Sequence, residues 1–403
     1  MSKNKNKIIN LAILLVFVVI LIEGFTLLGG GSYFGNRTLE AWAEEVIESC
    51  KESNHKSSCY DEEIPKLMDH ISYEEAFEVT RIIQNQDPNY WYCHVLGHNL
   101  SARETAKDPS KWMDVVARSP SGICSNGAIH GAFQERFRVE VLSLEQIEEI
   151  IPDLKRVCEP REGYNPTGLE QASCYHALGH LTMYMTGAET RKSLSTCDRI
   201  TSNFKQMCYD GVFMQIYQPL EPEDFALVVD IAPKSQGESD EFCQEFKNDD
   251  FTYSTCIRES WPLWRKEIST SEGVMAFCSR TPSGVERNRC YNAVFYVNAP
   301  QVNFNKEKMI EICTGLPTDV KARCFANFAS RMIETDYRLS SNSVSLCQKA
   351  QEEGVGDRCY QELAFYAQFN YHPGSEESIS LCKALPDDWR ERCLNGDVRA
   401  LEF

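Results

Sequence analysis

The sequence predicts an all-α protein: an α-solenoid of disulfide-linked helix-turn-helix repeats that follows an N-terminal transmembrane anchor. Three observations predict this fold class. The chain of 403 residues contains 18 cysteines, most of these cysteines recur in regularly spaced pairs, and an apolar run lies close to the N-terminus. Together they favour an exported chain, because a cytosolic protein rarely carries so many cysteines without metal-binding CxxC pairs, and this sequence has none.

The N-terminal segment has the pattern of a membrane anchor. Residues 1–7 contain three lysines and precede an apolar run over residues 8–28. About 20 apolar residues suffice to span a bilayer, and lysines before the span keep the N-terminus in the cytoplasm. We therefore expect a cytoplasmic stub at 1–7, an uncleaved single-pass signal anchor at 8–28, and a linker at 29–40. The rest of the chain is then expected outside the cytoplasm, attached to the cell membrane.

The composition excludes some classes of function. The net charge is −18 and the isoelectric point is about 5.0. Such an acidic chain repels phosphate backbones, so we expect no nucleic-acid partner. The sequence contains no CxxCH, which argues against covalently attached c-type haem. An even number of cysteines in an exported chain instead predicts a disulfide framework.

The cysteines of the C-terminal half reveal an internal repeat. They form pairs eleven or twelve residues apart, and the first cysteines of successive pairs recur every 34 or 35 residues. The first cysteine closes a short amphipathic segment such as MIEICTGL, and the second opens an aromatic-rich stretch such as CYNAVFYVNA. A period in this range indicates stacked pairs of helices. The predicted disulfides are Cys278–Cys290, Cys313–Cys324, Cys347–Cys359 and Cys382–Cys393.

The N-terminal half follows the same pattern less strictly. We expect a histidine-bearing half at 41–220 and a half of plainer repeats at 221–403. The period resembles that of tetratricopeptide and Sel1-type repeats in architecture only, because their Trp, Leu-Gly and Tyr positions are not matched. Cys93 and Cys124 are paired by elimination, and the other predicted disulfides are Cys50–Cys59, Cys158–Cys174, Cys197–Cys208 and Cys243–Cys256.

Histidines recur at matching positions of the N-terminal repeats. Four of the eight histidines lie in two related phrases, CHVLGH at 93–98 and CYHALGH at 174–180. Positions two and six residues after the opening cysteine of a helix share one face, which points away from the disulfide. These helices contain several glycines, which disfavour helix formation, and a close approach between helices is the simplest explanation for them. Several imidazoles are therefore expected to converge on the inner wall of the solenoid.

The pattern predicts a transition-metal site. Neutral imidazole suits zinc, copper, iron or nickel, and a nearby thioether favours copper, so zinc or copper is the expected ion. Three carboxylates, Glu104, Glu135 and Asp210, are candidates for general-base roles or for orienting the ligands. Whether the site is catalytic stays open at this point. The predicted metal ligands are His94, His98, His130, His176, His180 and Met214.

Two alternatives use the same residues without a metal. In the first, the solenoid is a scaffold that binds a peptide, a glycan or a partner protein in its groove, and its histidines form separate hydrogen bonds. In the second, it is an α-helical carbohydrate-active enzyme that uses His176 with Tyr175 or Tyr184 as acid and base. Ring nitrogens that lie within a few ångströms of one another would favour the metal site over both of these alternatives. The sequence contains neither HExxH nor GxSxG, so a zincin protease and a nucleophile elbow are not indicated.

Overall fold

The computed structural model describes residues 37–399 except 88, 91, 121–122, 125–126, 138–140 and 221. This part of the chain is helical, and apart from one isolated bridge between Arg161 and Tyr164 it contains no β-structure. The predicted all-α class is confirmed. The predicted anchor at 8–28 lies outside the described residues, and within them no helix is long and apolar enough to cross a membrane.

The N-terminal half consists of α-helices of 7 to 19 residues. The α-helices described in this half are α1 (Leu39–Ser49), α2 (Lys56–Glu63), α3 (Tyr73–Gln86), α4 (His94–Lys107), α5 (Trp112–Arg118), α6 (Gly127–Phe137), α7 (Leu144–Val157), α8 (Gly168–Thr186), α9 (Thr190–Ile200) and α10 (Lys205–Tyr217).

The C-terminal half continues with further pairs of helices. Its α-helices are α11 (Pro222–Val228), α12 (Gln236–Gln244), α13 (Asp250–Glu259), α14 (Ser271–Cys278), α15 (Val285–Gln301), α16 (Lys306–Thr314), α17 (Thr318–Thr335), α18 (Ser340–Glu352), α19 (Gly356–Phe369), α20 (Glu376–Ala384) and α21 (Asp387–Asn395). Short 3₁₀ helices occur at Ile64–Asp69, Pro109–Lys111, Trp261–Trp264, Glu267–Ser269 and Tyr337–Leu339.

The sequence sets both ends of α8, the helix that carries two of the predicted ligands. Thr167 Oγ1 accepts from the backbone N–H of Glu170 at 3.2 Å, and the Glu170 carboxylate accepts from the N–H of Thr167 at 2.6 Å. This capping box satisfies N–H groups that a helix start leaves without a partner. Gly187 ends the helix with a φ of 62°, which glycine adopts without steric conflict. The register of the helix is thereby fixed.

A disulfide joins the two helices of almost every repeat. It links the end of the first helix to the start of the second, as in Cys313 of α16 with Cys324 of α17. Cys93–Cys124 differs because it closes 31 residues and ties the start of α4 to the segment before α6. All nine predicted pairings are confirmed, and no cysteine is free. The remaining bonds are Cys50–Cys59, Cys158–Cys174, Cys197–Cys208, Cys243–Cys256, Cys278–Cys290, Cys347–Cys359 and Cys382–Cys393.

The hydrophobic interior consists of two clusters that overlap on α8 and α9. One cluster runs from Trp42 to Ile200 and the other from Met183 to Cys393. The chain also returns on itself, because Arg338 donates a hydrogen bond to the carbonyl oxygen of Gln84. The last repeats therefore contact the N-terminal half, and the division at 220 stays a prediction.

The repeat disulfides should contribute measurably to stability. Replacing Cys347 and Cys359 by serine removes a bridge across only 12 residues. The expected loss in the free energy of unfolding is about 2–4 kcal/mol, because the unfolded chain regains the freedom that the bridge removed. Urea unfolding followed by circular dichroism measures it. An unchanged midpoint would contradict a stabilising role for this bridge.

Candidate metal centre

Five histidines from three helices form one continuous cluster. His94 and His98 project from α4 with ring centroids 4.8 Å apart, and each lies 5.1 Å from His130 of α6. On the other side, His130 lies 5.7 Å from His176 and 5.3 Å from His180, both on α8. These two rings are 4.9 Å apart. The structure thus brings together all five histidines that the sequence placed on one wall.

His94, His98 and His130, here called the histidine triad, could hold a metal ion. One ring nitrogen from each lies within 4.8 Å of the others, and the Nε2 atoms of His94 and His98 are 3.1 Å apart. Two nitrogens that bind one zinc ion at about 2.0–2.1 Å, with an angle of roughly 100° between the bonds, are about 3.1 Å apart. The spacing of this pair therefore already fits two ligands of one ion.

His176 and His180, here called the second histidine pair, repeat the spacing of His94 and His98. Their Nε2 atoms are also 3.1 Å apart. Both pairs place the histidines four residues apart on one helix, so that both rings lie on the same face of the helix. The second pair thus has the geometry of two ligands as well.

Glycines bring the histidine-bearing helices into backbone contact. A Cβ at Gly97 of α4 would lie 2.8 Å from the backbone nitrogen of Ala128 in α6. A Cβ at Gly179 of α8 would overlap the carbonyl oxygen of Cys208 and lie 2.9 Å from Gly211 Cα in α10. Only glycine permits helix axes so close, which explains the glycines noted in the sequence.

Two glutamines orient one histidine of each pair. His98 Nδ1 lies 3.0 Å from Gln134 Oε1, and His180 Nδ1 lies 2.6 Å from Gln215 Oε1. An acceptor at Nδ1 keeps the proton there and leaves the Nε2 lone pair available to a metal. The Nε2 atoms of both rings point at their partner histidines, so the available lone pairs face the interior of the cluster.

Burial disfavours the protonated form of four of the five imidazoles. Burial, followed by repulsion from neighbouring histidines, lowers the pKa of His94 and His130 well below the ordinary value. Burial also lowers the pKa of His176 to about 3 and depresses the pKa of His180 against the opposing effects of Gln215 and Asp224. His176 and His180 keep some accessible surface but are surrounded by protein. Neutral imidazole is the form that binds metals.

A small pocket with a volume of about 20 Å³ opens beside the cluster. Four of the five histidines line it, namely His94, His98, His130 and His180, and so does Met214, the remaining predicted ligand. The structure therefore places Met214 beside the histidines. An ion bound by the triad would have this pocket next to it, with room for about one water molecule.

The three predicted catalytic carboxylates lie outside this pocket. Glu104 pairs with Lys107 at 2.8 Å and with Arg118 at 2.9 Å. Asp210 pairs with the buried Arg258 at 2.8 Å, and burial raises the pKa of Asp210 although Arg258 opposes the shift. Glu135 is also absent from the described lining of the pocket. Their catalytic roles stay predictions, with two of the three held in ion pairs.

Sequence analysis missed Gln134, Gln215 and Asp224. Asp224, which is buried, accepts hydrogen bonds from Gln215 Nε2 at 2.8 Å, from the N–H of Leu220 at 3.1 Å and from the hydroxyl of Tyr184. The spacing of four residues from His130 could have identified Gln134. Nothing could have identified Asp224, because it belongs to an insertion between repeats whose path the sequence does not reveal.

Comparisons with known proteins add no assignment. No protein-family model matches the chain, and no curated protein or solved structure gives a significant match. Function therefore has to be argued from the cluster itself.

The contact between Gly179 and α10 should tolerate no side chain at position 179. Gly179→Ala should lower the free energy of unfolding by about 3 kcal/mol, because the added methyl group meets backbone atoms of α10 that cannot move aside. Gly237→Ala is the matched control, since an added Cβ there meets nothing within 4 Å and lies in the exposed first turn of α12. Urea unfolding of both variants measures the difference. Equal effects would contradict the close contact.

The metal-free protein should lose stability on acidification. The unfolded chain binds protons on histidine below about pH 6.5, whereas the folded chain resists them because burial lowers these pKa values, to about 3 for His176. Above pH 6.5 these histidines do not lower the free energy of unfolding. As the pH falls from 6.5 toward 3, the free energy of unfolding declines by up to about 1.4 kcal/mol per pH unit for each such group. His176→Gln should flatten the pH dependence of the melting temperature, measured with chelator present. An unaltered slope would contradict a buried neutral His176.

Proposed function

We propose that the protein binds a transition-metal ion at the histidine triad. The observation that carries the proposal is the 3.1 Å separation of His94 Nε2 and His98 Nε2, with a nitrogen of His130 close by from a second helix. With the proton of His98 on Nδ1, the space between the two Nε2 atoms holds either the Nε2 proton of a neutral His94 or a cation that binds both lone pairs. A metal ion satisfies all three nitrogens at once.

The donor set favours zinc or copper. Imidazole nitrogen is a borderline ligand that binds both ions well, and copper is generally bound more tightly than zinc by the same ligands. Met214 adds a thioether at the edge of the pocket, which is a soft donor and suits copper. Carboxylates, the ligands that magnesium and calcium prefer, are not part of the triad. Zinc and copper are therefore the ions with which to test the protein.

Three protein ligands leave a fourth position on a tetrahedral ion. Closed structural zinc sites use four protein ligands, whereas catalytic sites keep one position for water or substrate. The pocket beside the triad would supply this position with space. The proposed site is therefore of the open type, in which an ion can lower the pKa of a bound water molecule or polarise a ligand.

We also propose that the protein acts outside the cytoplasm, attached to the cell membrane by residues 8–28. Nine disulfides support an oxidising compartment, since reducing compartments keep thiols free. The lysines before the apolar run support a cytoplasmic N-terminus.

A second candidate function is groove binding of a peptide, a glycan or a partner protein. Two aromatic side chains favour it: Tyr92 is 44% exposed and stacks near His94 at 6.1 Å between ring centroids, and Tyr296 is 37% exposed on α15. Tyrosine combines a large apolar face with a hydroxyl group, which suits such ligands. This function requires no metal, so metal content distinguishes the two.

Elemental analysis of the full-length chain, produced in an oxidising compartment without a histidine tag, tests the main proposal. Wild-type protein should retain zinc or copper in stoichiometric amount after dialysis. His94→Gln/His98→Gln/His130→Gln should lose the triad-bound ion, and His372→Ala, which changes a histidine outside the cluster, should keep the full metal content. Intact mass should verify nine disulfides in every variant. Absence of bound metal in the wild type, even after incubation with either ion, would refute the proposal and favour groove binding.

A further inference from the structure

The helix pair α8–α10 reproduces the helix pair α4–α6. A Cβ at Gly127 would overlap the carbonyl oxygen of His94, and a Cβ at Gly211 would overlap the carbonyl oxygen of His176. The two glycines therefore occupy equivalent positions at the two helix crossings. His130 in α6 lies three residues after Gly127, and Met214 in α10 lies three residues after Gly211.

This equivalence assigns a counterpart to every member of the triad. His176 corresponds to His94, His180 to His98, and Met214 to His130. The pairs share the 3.1 Å separation of Nε2 atoms, and both His180 and Met214 line the same pocket. A second set of three donors thus stands beside the first, with one sulfur in place of one nitrogen.

Hydrogen bonds fix the tautomer of the second set. The Asp224 carboxylate only accepts hydrogen bonds, so the Gln215 atom that lies 2.8 Å from it must be the amide nitrogen. Gln215 Oε1 then faces His180 Nδ1 at 2.6 Å and must accept its proton. His180 Nε2 consequently carries a lone pair, and this lone pair points at His176 Nε2.

His176 completes the pair. Its Nε2 lies 3.1 Å from His180 Nε2. With the proton of His180 on Nδ1, the space between the two nitrogens holds either the Nε2 proton of a neutral His176 or a cation. A cation there would bind both nitrogens at once.

We propose that Nε2 of His176, Nε2 of His180 and the thioether sulfur of Met214 bind a second metal ion, so that the cluster is a two-ion centre. The proposal rests on the proposed function of the histidine triad and adds a second, softer site to it. His130 lies between the sites, at 5.7 Å from His176 and 5.3 Å from His180 between ring centroids. A site with nitrogen ligands only and a site with a sulfur ligand prefer different metal ions, and copper(I) suits the sulfur-containing site.

The test is a titration of the metal-free, full-length chain with zinc and, in a separate anaerobic experiment, with copper(I). Native mass spectrometry gives the number of bound ions, and calorimetry gives the stepwise affinities. Gln215→Leu and Gln134→Leu form a matched pair, because each removes the acceptor that orients one histidine of one site. Loss of such an orienting partner typically weakens metal binding 10- to 100-fold. His176→Gln/His180→Gln and His94→Gln/His98→Gln remove the two pairs of ligands themselves.

Wild-type protein should bind two ions, and each double variant should bind one. Gln215→Leu should weaken one of the two ions 10- to 100-fold, and Gln134→Leu should weaken the other by a similar factor. These single changes decide the matter even if a double variant fails to fold. A wild-type protein that binds one ion, or a Gln215→Leu variant with both affinities unchanged, would overturn the second site and leave the triad standing. A wild-type protein that binds none would instead refute the proposed function itself.

Discussion

Backbone contact between glycine-bearing helices is the constraint on which the rest of the site depends. Gly97 and Gly179 let α4 meet α6 and α8 meet α10 at distances that any side chain would prevent. At ordinary helix separations of 8–10 Å, side chains fill the space between axes. Here the axes come closer, so imidazoles from three helices meet in one continuous cluster. The same contact lets Gln134 and Gln215 reach across to orient histidines of the facing helix.

The disulfide-linked repeats hold this arrangement in place. Cys158–Cys174 and Cys197–Cys208 tether α8 and α10 to the helices that precede them. Ligands on such rigid elements keep their geometry before an ion arrives, which reduces the entropy lost on binding. Burying imidazole nitrogens that face one another is unfavourable unless a proton or an ion lies between them. A bound ion would satisfy the Nε2 atoms of His94 and His98 together.

Much of this architecture could be predicted from the sequence because it follows from spacing. Cysteine intervals predicted the repeat and eight of the nine bridges, and elimination supplied Cys93–Cys124. Counting from the opening cysteine of each helix placed His130 in one column with His98 and His180. Asp224 could not be predicted, because it reaches the site through an insertion whose path depends on tertiary packing. Glu104 was proposed from its charge and proximity, yet a helix presents several faces, and Arg118 and Lys107 draw this carboxylate away from the pocket.

Anomalous diffraction from crystals of the protein grown with zinc or copper, measured at the absorption edge of the metal, tests most directly whether the histidine triad binds an ion. We expect an anomalous peak between His94 and His98, about 2.0–2.1 Å from both Nε2 atoms, with His130 completing the set. A cluster without any anomalous peak, in which one Nε2 donates a hydrogen bond to the other, would show that these histidines pack together without binding metal.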